Sequence, residues 1–251
     1  GLGVKSRYRQ LWDRAELNAT IYTANVETYK KNRELVSAVD ATFASRIGNG
    51  WSIKANLRRA SQDTFMRRYD FNDDTSLKST VSATRTIDNR YYRVEASDRQ
   101  SLLASEKTLN EPIVLPSIFY EKTEKGWREN QKFRTELSAV QLDNDQGHDM
   151  ARWSGIFEVA EDFELPLGIA NYEANVTGNY YSIHTKPDSA VTKLGDFSFV
   201  NPALSVGWRL PIAAVGANRT AIFEPQARLA FIGGKDRTSI VPNRDASDYR
   251  I

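Results

Sequence analysis

Apolar and polar residues alternate one by one along much of the chain. Trp51, Ile53, Ala55 and Leu57 alternate with Ser52, Lys54, Asn56 and Arg58. Phe133, Thr135, Leu137 and Ala139 alternate with Lys132, Arg134, Glu136 and Ser138. Tyr172, Ala174, Val176, Gly178 and Tyr180 interleave with Glu173, Asn175, Thr177, Asn179 and Tyr181. Ala221, Phe223, Ala227, Leu229 and Phe231 do so with Ile222, Glu224, Gln226, Arg228 and Ala230. A strand turns successive side chains to opposite sides, so each run has one greasy and one polar face. The pattern predicts about twelve strands, at 3–11, 14–24, 39–47, 51–61, 76–87, 90–98, 112–123, 127–141, 150–161, 167–184, 197–215 and 218–232. Residues 26–44 carry a competing signal. Leu35, Val39 and Phe43 stand at helical spacing, against a polar loop through Lys30–Glu34 that leads into a strand at 39–47.

The connections alternate in length. Gly48-Asn49-Gly50 and Asp88-Asn89 read as tight turns, because Gly and Asn accept positive φ at little cost. Glu124-Lys125-Gly126, 162–166 and Gly216-Ala217 are also short. Between them fall long polar stretches at 25–38, 62–75, 99–111, 142–149 and 185–196. A membrane-spanning antiparallel barrel has this signature, with short periplasmic turns and longer outer loops. Pro116, Pro202 and Pro225 fall inside strand-like runs and predict bulges or weakened pairing, since proline cannot donate to the ladder.

The fold expected is all-β, an antiparallel transmembrane β-barrel segment of about twelve strands belonging to a larger barrel. Residues 1–251 are expected to be a partial outer-membrane barrel domain, cut from a longer protein. Period alone does not separate this from a soluble β-sandwich, whose apolar faces look inward. The polar faces favour the barrel. They carry long side chains of both signs, namely Lys54, Arg58, Arg93, Glu95, Lys132, Arg134, Glu136, Glu224 and Arg228, which are expected to face the lumen. Aromatic residues such as Tyr22, Trp51, Trp127 and Trp208 gather near strand ends, as in the girdles of outer-membrane barrels.

Composition narrows the function. The 251 residues carry 34 Lys+Arg against 32 Asp+Glu, a net charge of +2 that gives little reason to expect nucleic acid. There is no cysteine, which excludes thiolate metal sites and disulfides within the chain. No constellation of acid, base and nucleophile converges, so no enzyme and no cofactor is expected. His148 and His184 lie in or near loops without sequence partners. Glu161, Asp162 and Glu164 read as solvated carboxylates beside a proline turn. Gly233-Gly234-Lys235 lacks the spacing of a phosphate loop.

Several segments resemble the lipopolysaccharide-assembly outer-membrane protein family (LptD, also called OstA or organic solvent tolerance protein). These are Asp63-Thr-Phe-Met-Arg-Arg-Tyr-Asp-Phe71 followed by Leu77-Lys-Ser-Thr-Val81, then Glu111-Pro-Ile-Val-Leu-Pro-Ser-Ile-Phe-Tyr120. Phe223-Glu-Pro-Gln-Ala-Arg-Leu-Ala230 and Ile240-Val-Pro-Asn-Arg-Asp245 complete the series. The likeness looks closest to alphaproteobacterial members. It implies a place in the outer membrane and a part in the translocon that inserts lipopolysaccharide into the outer leaflet. It also implies a lipoprotein plug (LptE), outer-membrane lipid around the barrel, and a periplasmic transport bridge reached through an N-terminal jellyroll absent from this chain. The readings set against it are a porin-like diffusion barrel and a soluble carbohydrate-binding β-sandwich.

Overall fold

A computed structural model of the chain describes residues 3–27, 33–102, 113–143, 148–185, 195–216 and 220–234. Those residues are almost entirely β. Eleven strands run in sequence: β1 (Gly3–Trp12), β2 (Ala15–Glu27), β3 (Arg33–Ile47), β4 (Trp51–Ala60), β5 (Ser76–Ile87), β6 (Arg90–Ser101), β7 (Ile113–Lys125), β8 (Gln131–Asp143), β9 (His148–Leu165), β10 (Gly168–Thr185) and β11 (Gly195–Arg209). Three short strands follow: β12 (Ile212–Val215), β13 (Thr220–Phe223) and β14 (Gln226–Ile232). The main sheet has twelve strands in the order β1 to β11, each beside its neighbour in the chain, and then β14 beside β11, while β12 and β13 form a separate ribbon. A single helical turn, α1 (Phe65–Arg68), lies between β4 and β5.

The turns at 48–50 and 88–89 form where the sequence predicts them, whereas β9 runs through the expected turn at 162–166 as far as Leu165 and β7 runs to Lys125. Asn49 and Asp88 take positive φ, as does Gly50, which closes the β3–β4 hairpin. The strands run further than their apolar patterns. β8 and β9 leave only 144–147 between them, and β2 and β3 leave only 28–32, where long loops were expected. Polar residues such as Glu34 and Asp143 therefore continue the pairing beyond the apolar part of each strand. The helical reading of 26–44 fails, because β3 begins at Arg33 and pairs along its length with β2, Leu35 opposite Asn25 and Phe43 opposite Leu17.

Prolines break the last hairpin. The two long strands expected at 197–215 and 218–232 are each interrupted, at Leu210-Pro211 and at Glu224-Pro225. The breaks face each other, with the Leu210 amide donating to the Pro225 carbonyl at 3.0 Å. Neither proline has an N–H to carry the ladder through this level. In β7 the buried positions are Val114 and Phe119, an odd number of residues apart. β7 itself runs as one strand from Ile113 to Lys125 through Pro116.

The described chain divides into two compact units. The first comprises Gly1–Ile118, Ala139–Ala151 and Ser182–Gly195, and the second Phe119–Ser138, Arg152–Tyr181 and Asp196–Ile251. In the first, the register fixes which residues share a face. Asp40 stands opposite Arg58 and Ala44 opposite Lys54. Lys54 pairs with Ser82, Ser82 with Glu95, and Thr84 with Arg93. One face of β1–β6 is therefore polar. The other carries Val39, Phe43, Trp51, Leu57, Val81 and Val94, and its large residues are mostly exposed.

Candidate functional site: the polar face and its capped end

On β4, alternation places Lys54 and Arg58 on one side, and the register brings Arg93 and Glu95 of β6 to the same side through β5. Arg58 is anchored on two sides. Its Nε lies 3.4 Å from Asp40 on β3, and its guanidinium also pairs with Asp74 in the β4–β5 connection. Asn72 donates to the same Asp74 carboxylate at 2.7 Å. The Arg58 hydrogen bond, helped by Asn72, holds the Asp74 carboxyl below the ordinary aspartate range against the opposing effect of burial.

The second unit repeats the motif with other residues. Arg134 on β8 reaches Glu136 on its own strand at 2.6 Å, Glu121 on β7 at 3.4 Å and Glu158 on β9 at 3.7 Å. One guanidinium thus ties three strands, and Lys132 shares its side of β8 by alternation. Arg228 on β14 lies 3.1 Å from Glu173 on β10 and 2.9 Å from the Ser205 hydroxyl on β11. Glu224 is the exception. It stands between β13 and β14 and belongs to no strand face.

Towards the long connections the polar face of the first unit turns apolar. Tyr22, Ala24, Val36, Ala38 and Ala60 occupy positions whose parity is polar elsewhere, and all are buried. Residues 61–75, which include the polar connection read from sequence at 62–75, cover them. Phe65 and Met66 of α1 are buried, and Tyr69 and Phe71 pack against the same cluster. The Phe71 ring lies 4.7 Å from that of Tyr22 on β2. A Cβ on Gly3 would stand 3.3 Å from both Tyr69 and Phe71, so the loop reaches across to β1. The signal for this cap was present in the sequence: three aromatics and a methionine in one loop, and apolar residues at the wrong parity on β2 and β3.

The cap has a structural counterpart in the sheet. β4 and β5 pair only from Trp51–Arg85 to Asn56–Thr80. Beyond that, side chains replace the ladder. Ser79 Oγ accepts from the Arg58 amide and donates to its carbonyl, each at 3.0 Å. The Gln100 amide does the same for Ala60, at 3.0 and 2.7 Å. Backbone groups at the parting strands thus keep partners, as buried peptides require.

The remaining sequence candidates do not converge. His184 Nε2 lies 3.0 Å from Ser182 Oγ on an exposed stretch, and the His148 side chain lies outside the described residues, as do Lys235, residues 111–112 and the 240–245 segment. Among the described residues no group of His, Asp and Glu is arranged to hold a metal ion. Glu161 is a correction. It is buried rather than solvated, accepting from Tyr172 Oη at 3.1 Å and Gln131 Nε2 at 3.4 Å, with Arg128 3.5 Å away. This network joins β8, β9 and β10 beside the short turns.

The LptD family model, described as LPS transport system D, matches residues 31–251. The chain belongs to the LptD family. LptD proteins are outer-membrane β-barrel proteins of Gram-negative bacteria with a role in lipopolysaccharide transport and assembly, and they form a transport family rather than an enzyme family. Their substrate is lipopolysaccharide, handled within the Lpt machinery. No curated protein matches the chain. In LptD terms, the Asp63–Phe71 segment that carried the resemblance is the cap over the apolar end of the polar face.

Proposed function

We propose that this chain forms part of the wall of the translocon barrel that inserts lipopolysaccharide into the outer leaflet. The face carrying Lys54, Arg58, Arg93, Glu95, Lys132, Arg134, Glu136 and Arg228 lines a water-filled interior. The opposite face meets acyl chains. The observation that supports this most is the exposure of large apolar residues with no protein over them: Leu137 is 51% exposed, Val176 46% and Leu229 69%. Water-soluble proteins seldom leave apolar columns of this extent uncovered. On β10, the run from Tyr172 to Tyr180 would span about 20 Å at the usual rise and barrel tilt, close to the ~25 Å apolar band of such barrels.

Tryptophans support the same orientation. In the first unit, Trp12 and Trp51 abut short turns on the apolar face. In the second, the Trp127 ring packs 5.1 Å from Phe133, and Trp208 Nε1 donates to the Leu167 carbonyl at 2.7 Å in the β9–β10 turn. Rings with an apolar body and one donor suit the lipid–water boundary. Barrels of this kind have short periplasmic turns and longer outer loops, so the short turns face the periplasm and the cap of 61–75 lies at the outer end.

The chemistry asked of the wall is modest. An amphiphile with an anionic sugar head needs a hydrated path for the head. Cations already balanced by carboxylates, as at Arg134, offer phosphate and sugar contacts without trapping them. A lipoprotein plug of the LptE kind would share that interior, and the periplasmic bridge would engage a domain outside this chain. A photoreactive residue at Lys54 or Arg134 should form adducts with lipopolysaccharide in living cells, and one at Leu57 or Leu137 should capture membrane lipid instead. Adducts at Leu57 with none at Lys54 would overturn the assignment.

A further inference from the structure

The β12–β13 ribbon carries no charge and one hydroxyl. Its strands read Ile-Ala-Ala-Val and Thr-Ala-Ile-Phe, paired Ile212 with Phe223 and Ala213 with Ile222. A strand pair built to dock a protein has one apolar face and one polar face. Here both faces are apolar. Ile212 and Phe223 point one way, Val215 and Ile222 the other, and all four are exposed. A two-stranded ribbon of this length is not stable alone in water.

We infer that β12–β13 lies in the inner leaflet of the outer membrane at headgroup depth, as an interfacial anchor beside the barrel wall. Three observations select lipid as the occupant. First, surroundings that are greasy on both faces match a fluid apolar medium better than a single protein surface. Second, the ribbon continues exposed apolar columns: Val206 and Leu204 on β11, paired with Leu229 and Phe231 on β14. Third, Trp208 stands just before it, and Arg209 at its base offers a cation to anionic headgroups.

The facing breaks at Pro211 and Pro225 interrupt the ladder just beyond the Arg209–Gln226 pair, which separates the ribbon from the wall. Backbone chemistry limits its depth. Both edges of an isolated ribbon carry free N–H and C=O groups, which hydrocarbon cannot satisfy. The ribbon therefore stays at headgroup depth, where water reaches its edges while the apolar side chains of both faces meet the acyl boundary.

The inference rests on the outward-facing assignment proposed above, and one experiment separates the two. The chain has no cysteine, so single replacements at Val215, Ile222 and, as a control on the wall, Val206 can each carry an environment-sensitive fluorophore. The labelled full-length protein is reconstituted into phosphatidylethanolamine–phosphatidylglycerol vesicles containing shallow or deep nitroxide lipids. The expected result is blue-shifted emission at Val215 and Ile222, quenched more by the shallow probe. Water-like emission there, or a shielded probe that neither nitroxide quenches, as when a second copy or another protein covers it, overturns the anchor while a quenched Val206 leaves the wall assignment standing. A water-like Val206 overturns both.

Discussion

Leu35 and Val36 are neighbours on β3, yet Leu35 is 72% exposed and Val36 1%. The pair samples the two apolar surfaces of the first unit. Val36 belongs to the cluster under the 61–75 cap, sealed by Phe65, Met66, Tyr69 and Phe71. Leu35 belongs to the opposite face, which continues through Phe43, Leu57 and Val81 with nothing of the described protein over it. Hydrophobicity alone does not tell these surfaces apart. One finds its apolar environment within the chain, and the other, on the function proposed above, finds it in a bilayer. Removing a side chain should therefore damage the first surface, and adding charge should damage the second.

The largest effect is expected from Phe65→Ala. Truncating a ring at the centre of the cap should weaken its docking by about 3–5 kcal/mol. The exposed Arg67 and Arg68 of α1 make the readout convenient, because a loosened cap should be cut by trypsin much faster in the membrane-embedded protein. The matched change on the other surface, Leu35→Ala, should leave cleavage nearly unaltered. Equal sensitivity would break the comparison.

Charge reverses the ranking. Val81→Arg places a guanidinium in the middle of the outward column and should cost about 2–4 kcal/mol in refolding titrations into vesicles. Thr80→Arg, its neighbour on the polar face, should be far better tolerated. If both are neutral, the outward face is wet and the barrel reading loses its support.

Much of this was legible in the residues. Period two assigned the faces of β4, β8 and β10, and Asn49-Gly50 and Asp88-Asn89 marked real turns. The misreadings have physical causes. Leu35, Val39 and Phe43 are four apart, a spacing that puts residues on one side of a helix and equally on one side of a strand. Strand ends beyond the apolar band carry polar residues on both faces, so β2, β3, β8 and β9 outran their patterns. The cap was missed because its aromatics serve a tertiary contact and follow no period. Glu161 looked solvated because Gln131 and Tyr172, which bury it, come from β8 and β10 and are adjacent only in the fold. For the lumen-facing set, the sequence supplied alternation but not partners. Cross-strand registry was needed to bring Asp40 to Arg58, and folding of the loop to bring Asp74.

Smaller effects sharpen the picture of the tether. Arg58→Ala leaves Asp40 and Asp74 without their shared cation and should loosen the cap by about 1 kcal/mol, a modest rise in the same tryptic cleavage. Acid should act in the same direction. The Asp74 carboxyl is depressed in the folded protein, so its contribution is complete above the ordinary aspartate pKa of roughly 4 and is lost as pH falls through the lower folded value. Cap opening measured by hydrogen exchange should increase in that acidic window. The increase should disappear in Asp74→Asn, which has no carboxyl to titrate.

The most direct measurement is thiol accessibility on intact, membrane-embedded protein, using a reagent that cannot enter hydrocarbon. Cysteines at Lys54 and Arg134 should react readily, while cysteines at Phe133 and Leu137 should be shielded by lipid. Rapid labelling at Phe133 and Leu137 with none at Lys54 and Arg134 would contradict the account.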